Sequence, residues 1–180
     1  SIFVSDKYVR AVQGGIGDAK TAGNYAASLL AQMEAKEQGF SQVLWLDANE
    51  RRYVEEVGTM NIFFKFGDEV VTSPLTGSIL PGITRDSVLK LLDKWGGKVT
   101  ERLFTIDEVI AAQKDGSLTE AFGTGTAAII SPVGSIRYKG QDYQVADGKI
   151  GELAQKLYDF LLGMQYGREE DAFNWVERIG

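Results

Sequence analysis

The sequence predicts one α+β domain over residues 1–180, a mixed β core flanked by helices. Three observations lead there. Short runs rich in β-branched and aromatic residues come in clusters bounded by Gly, Asn and Asp. Stretches with apolar residues three and four apart fall between the clusters. No apolar run is long enough to span a bilayer, and no internal repeat or linker divides the chain.

The elements follow in order. Residues 1–13 read as an extended lead-in, with Tyr8 to Val12 the best strand candidate. Gly14, Gly15 and Gly17 break any regular element. Tyr25, Ala26, Leu29, Leu30 and Met33 mark the apolar face of a helix running to about Gln38, with Gly39 past its end. Gln42 to Asp47 reads as a buried strand, and Ala48-Asn49-Glu50-Arg51 as a turn. Arg52 to Val57, Asn61 to Phe66 and Glu69 to Thr72 are further strands, the last two joined at Gly67-Asp68. After a loop over Ser73 to Gly82, Thr84 opens a helix with Val88, Leu89, Leu92 and Trp95 on one face, stopped by Gly96-Gly97. Lys98 to Leu103 is a strand, and Thr105-Ile106-Asp107-Glu108 is a capping box for a helix to about Lys114. Glu120 to Phe122 and Ala127 to Val133 are strands around the turn Gly123-Thr124-Gly125-Thr126. Arg137 to Val145 forms a hairpin, and a last helix from near Ile150 buries Leu153, Leu157, Phe160, Leu161 and Met164.

Composition narrows the chemistry. The net charge of −6 argues against a nucleic-acid binder. Without cysteine there are no disulfides and no thiol nucleophile, which together with the lack of a signal-peptide pattern leads us to expect a cytoplasmic protein away from membranes. Without histidine there is no Ser-His-Asp triad and no His-rich metal site, so proton chemistry near neutral pH falls to carboxylates, tyrosines and lysines. The chain opens on Ser1 and runs straight into Ile2-Phe3-Val4, which reads as the middle of a longer protein; a processed start gives the same pattern.

One stretch stands out: Gly14-Gly15-Ile16-Gly17-Asp18-Ala19-Lys20, followed by Gly23-Asn24-Tyr25 at a helix start. Alone, Lys20 reads as a solvated surface charge. The glycines before it permit close approach of a flat ligand, and a lysine joined to an aldehyde cofactor does proton chemistry without histidine. Glu55 and Glu56 are adjacent in a strand and so face opposite sides. Leu80-Pro81-Gly82-Ile83-Thr84-Arg85 opens a helix, where free amides and the dipole suit an anion, although an ordinary N-cap at Thr84 reads equally well. Phe122-Gly123-Thr124-Gly125-Thr126-Ala127-Ala128 is a glycine-threonine turn of a common kind.

Taken together, with Val54-Glu55-Glu56-Val57-Gly58-Thr59-Met60-Asn61 and Gln165-Tyr166-Gly167-Arg168-Glu169-Glu170, these segments resemble branched-chain amino acid aminotransferases in order and spacing over nearly the whole chain. The resemblance implies a fold-type IV large domain with a mixed, barrel-like sheet, and pyridoxal 5′-phosphate as cofactor. It implies Lys20 as the lysine that joins the cofactor and shuttles a proton, Tyr25 on the phenolic oxygen and Glu56 on the pyridine nitrogen. The amides of Ile83 and Thr84 and the hydroxyl of Thr126 would hold the phosphate. Thr59 and the amides of Thr126 and Ala127 would meet the substrate. No metal is implied, and no chemistry is assigned to the Gln165 segment, which reads equally as a solvated helix end. The implied reaction passes the amino group of Leu, Ile or Val to 2-oxoglutarate, giving 2-oxo acids and glutamate, in a homodimer. The smaller N-terminal domain of that family has no counterpart in these residues. A cofactor-binding fragment without catalysis, a D-amino acid aminotransferase and an aminodeoxychorismate lyase are the alternatives; Glu56-Val57-Gly58-Thr59-Met60-Asn61 sits closest to the mammalian-like branched-chain subgroup. Where mammalian members carry a redox-sensitive cysteine pair, this chain has Ala128 and Ser131.

Overall fold

Three consecutive apolar residues, Ile62, Phe63 and Phe64, organise the sheet. In a strand they must face alternate sides. A computed structural model, which describes residues 1–177 and 179, places them on β4 (Met60–Phe66), all fully buried. Ile62 and Phe64 enter one core; Phe63 enters another and stacks on Phe122 with ring centroids 5.4 Å apart. Burying each such ring is worth about 2–3 kcal/mol.

The other strands are β1 (Ile2–Val4), β2 (Gln42–Leu46), β3 (Val54–Val57), β5 (Glu69–Thr72), β6 (Lys98–Glu101), β7 (Leu118–Gly125), β8 (Ile129–Pro132), β9 (Ser135–Tyr138) and β10 (Gln141–Gln144). They form a mixed sheet in the order β10-β9-β1-β2-β3-β4-β5-β6. β4 also pairs along its other edge with β7, which carries β8, so the sheet forks there. β1 lies parallel to both β2 and β9, and β5 parallel to β6; the remaining pairs are antiparallel. Among the described residues four α-helices flank the sheet: α1 (Ala22–Glu37), α2 (Ile83–Lys94), α3 (Ile106–Asp115) and α4 (Glu152–Gln165). α3 covers the Ile62–Phe64 side, whereas α2 and α4 cover the Phe63 side through Val88, Leu91, Leu157 and Leu161. No helix among the described residues is long and apolar enough to cross a membrane.

Local signals account for most boundaries. Thr105 accepts from Glu108 N at 3.0 Å, as the capping box requires, although the Glu108 carboxylate turns to Arg102 instead of closing the box. Gly39, with φ of +86°, follows α1, and the Gly67 turn joins β4 to β5.

Four expectations are corrected. Tyr8 to Val12 forms no strand; the strand is Ile2–Val4, and the later residues make an irregular arm. The apolar face of α1 is not core: Tyr25, Leu29, Leu30 and Met33 are about half exposed, while Asn24, Ser28, Ala31 and Ala35 are buried. Small side chains let α1 lie close over Val43 and Trp45 of β2. Gly123 and Thr124 belong to β7, and the turn falls at 126–128. Gly82, not Thr84, is the N-cap of α2, without a side-chain cap. The Gln165 segment does end a helix, and Arg168 N closes it on Gly163 O at 2.7 Å.

Candidate active site

Lys20 sits on the loop between the irregular arm and α1, and that loop is tied down from three sides. Asn24 Nδ2 donates to Ile16 O at 2.7 Å and to Ala19 O at 2.9 Å. Arg10 donates from its terminal nitrogen to Gly17 O at 2.9 Å and to Ser78 O. Gly17 is packed so tightly that a Cβ there would lie 2.4 Å from Ser78 O and 2.7 Å from Ala11 Cβ. The glycine therefore serves contact with the loop before α2, rather than approach to a ligand.

Beside Lys20 opens a cavity of about 450 Å³. All eight residues singled out in the sequence line it: Lys20, Tyr25, Glu56, Thr59, Ile83, Thr84, Thr126 and Ala127. β3 and the turn after it bring Glu56 and Thr59; the first turn of α2 brings Ile83 and Thr84; the β7–β8 turn brings Thr126 and Ala127. Lys20, Tyr25, Thr59, Ile83, Thr126 and Ala127 are exposed, so one side of the cavity is open in these residues.

Glu56 lies at the buried end, 2% exposed. Its Oε1 accepts from Leu80 N at 2.9 Å and from Asn61 Nδ2 at 3.2 Å. Its Oε2 lies 2.6 Å from Arg10 Nε, an ion pair set off the line of a hydrogen bond. Burial pushes Glu56 up to about 7, against the Arg10 guanidinium and the Leu80 N–H, which both favour the charged form. Asn61 Nδ2 also donates to Leu80 O at 2.8 Å, clamping the loop that leads into α2. A Cβ on Gly82 would lie 2.2 Å from Asn61 Oδ1, so a side chain at that N-cap would push the Asn61 amide out of its place. By helix geometry the first-turn amides after it have no acceptor within α2.

Sequence reasoning missed Arg10, Asn61 and Thr124. Arg10 stands in an irregular arm with no local pattern; the available signal was two adjacent strand acids in need of a cation. Thr124 is paired in register with Asn61 and is 1% exposed, and its Oγ1 has no hydrogen-bond partner among the described residues. It shares the cavity wall with Thr126, two residues on.

A lysine, a buried carboxylate paired to arginine and an uncapped helix start thus meet around one cavity. The sequence profile of Amino-transferase class IV matches residues 2–136, and the chain belongs to that family. Among individual proteins, it is 58% identical to branched-chain-amino-acid aminotransferase 2 of Bacillus subtilis (strain 168) over 178 residues, 99% of this chain and 49% of the relative. Among solved structures, the branched-chain amino acid aminotransferase from Escherichia coli matches with a TM-score of 0.83 and 32% identity, over 98% of this chain and 56% of that one. The T.th. branched-chain amino acid aminotransferase complexed with N-(5′-phosphopyridoxyl)-L-glutamate matches with a TM-score of 0.84 and 31% identity, over 99% of this chain and 56% of that one. The chain spans about half the length of the curated relatives it matches.

Proposed function

We propose that these residues form the cofactor-holding part of a pyridoxal-phosphate-dependent aminotransferase acting on branched-chain L-amino acids, with 2-oxoglutarate as the acceptor. The observation that carries the reading is the convergence of Lys20, Glu56 and the α2 start on one cavity. The residues fit the cofactor. Buried Thr124 Oγ1 lacks a partner among the described residues beside the cavity, and the α2 amides suit a phosphate.

When bound, pyridoxal phosphate supplies an aldehyde that carries an amino group and a ring that takes up electrons. Lys20 Nζ would hold that aldehyde and would carry a proton to or from the substrate Cα. Glu56 would accept a hydrogen bond from the ring N–H, and a positive ring beside it would offset the burial that raises its pKa. Tyr25 donates its hydroxyl to the phenolic oxygen. Ile83 and Thr84 offer amides, and Thr126 its hydroxyl, to the phosphate. The Thr126 and Ala127 amides would help hold the substrate carboxylate, and Thr59 would line the substrate side.

The exposure of Lys20 favours a second reading for the chain by itself, a cofactor-binding piece without turnover. In the longer protein other residues close the open side and desolvate the lysine. A homodimer belongs to the same proposal, supported by the exposed stripe of Tyr25, Leu29, Leu30 and Met33 on α1. The cytoplasm is the proposed site of action.

The test is borohydride reduction with pyridoxal phosphate and peptide mass mapping. A single adduct on Lys20, absent in Lys20→Ala and weakened in Glu56→Ala, is the expected result. Label scattered over many lysines overturns the reading. Transamination assays on the full-length protein then separate branched-chain from other substrates.

A further inference from the structure

Glu55 is a buried acid that the chemistry above does not use. It follows Val54 on β3 and points away from its neighbour: Glu56 lines the main cavity, whereas Glu55 lines a second one of about 190 Å³, walled in part by Asp47, Tyr53, Ser73 and Thr76. Glu55 is 6% exposed. Its Oε1 accepts from the Ser78 hydroxyl, and its Oε2 is buried with no partner among the described residues.

The two acids are connected. Ser78, whose hydroxyl binds Glu55, takes a hydrogen bond from Arg10 at its carbonyl. Arg10 in turn pairs with Glu56 at 2.6 Å. One guanidinium thus serves two buried carboxylates, and a continuous chain of contacts runs Glu55–Ser78–Arg10–Glu56. With Arg10 acting on both acids, the charge on one is felt at the other.

We propose that Glu55 is a positioning residue of the cofactor site: it orients Ser78, draws on the charge of Arg10, and so raises the proton affinity of Glu56 and of the groups held against it. The proposal rests on the pyridoxal-phosphate reading above. The charged and titratable groups around the pair are Arg10 on the arm, Asp47, Glu50 and Tyr53 beside the second cavity, Arg85 on α2, and Lys20 and Tyr25 across the main cavity. Burial raises the Glu55 carboxyl, its bond from Ser78 and the charge of Arg10 oppose that rise, and Asp47 adds to it.

The experiment is a pH titration of the visible band of the lysine-bound cofactor in the full-length protein. Glu55→Gln keeps an acceptor for Ser78 but removes the charge, and loss of a nearby negative charge moves the midpoint to lower pH, by about half a pH unit or more. Glu55→Asp keeps the charge and returns the midpoint toward wild type. Ser78→Ala deprives Glu55 of its hydrogen bond, favours its neutral form and lowers the midpoint as well. A Glu55→Gln midpoint equal to wild type, with cofactor bound, overturns the proposal. Should Glu55→Gln fail to fold, an unshifted Ser78→Ala overturns it equally. If wild type yields no band from Lys20, the cofactor reading itself fails, and this proposal with it.

Discussion

Glu56 makes the ligand-free protein less stable as pH rises. In the unfolded chain its carboxyl titrates at an ordinary 4.5; in the fold, burial lifts it to about 7. The native state therefore keeps a proton that the unfolded chain has already lost, and stability falls as pH rises between those values. The stability is fully present below 4.5 and its loss is complete once pH passes the folded value. At about 1.4 kcal/mol per pH unit, the full loss is about 3 kcal/mol, of which roughly 2–3 falls between pH 5 and pH 8. Glu56→Gln removes the titration. Its amide also faces Arg10, so its absolute stability is a poor guide, and the informative quantity is the slope. Urea unfolding at pH 5 and pH 8 should show wild type losing roughly 2–3 kcal/mol more than Glu56→Gln over that interval. Parallel pH dependence, within about 0.5 kcal/mol, would refute the reasoning, because Glu56 would then be ionised in the ligand-free fold. The same variant should bind pyridoxal phosphate more weakly, since it gives up the carboxylate for the ring nitrogen.

Other expectations are simpler to state. Gly17→Ala drives a Cβ to 2.4 Å from Ser78 O, against backbone rather than a flexible tip; thermal unfolding should show a loss of about 1–3 kcal/mol. Arg10→Met leaves two buried acids without their cation, so it should cost about 3 kcal/mol or more at pH 8 and less at pH 5, measured by urea unfolding at both. Thr124→Val fills the same space without a hydroxyl that has no protein partner among the described residues. It should leave the ligand-free stability within about 1 kcal/mol of wild type while lowering cofactor affinity several-fold in a fluorescence titration.

The parts of the structure readable in the sequence are those written locally. Thr105 with Glu108 marks a helix start whether or not the rest of the chain is present, and Gly67-Asp68 between two apolar runs marks a hairpin. The eight candidate residues were named from the resemblance of their segments taken together, no one segment being specific alone, and the fold brings all eight to one cavity. What failed depended on distant partners. Ile2–Val4 is only three residues long, and becomes a strand because β2 and β9 receive it from either side. The spacing of Tyr25, Leu29, Leu30 and Met33 is that of a buried helix face, yet Trp45 needs small residues above it, and the helix turns Ala31 and Ala35 inward. Arg10 carries no local mark at all; its role comes from reaching Glu56 across 46 residues of chain.

The pairing of β1 also sets an order of assembly. Ile2 aligns with Gln42 on one side and with Ile136 on the other. Strand β1 can pair with β2 once residue 42 is available, but it keeps one unpaired edge until Ile136 is in place. Contacts this distant in sequence are slow to close. The Lys20 loop lies between β1 and α1, so the strand that precedes it is not fully paired until β9 joins. A chain lacking the residues from 135 on would present that open edge to whatever strand comes near.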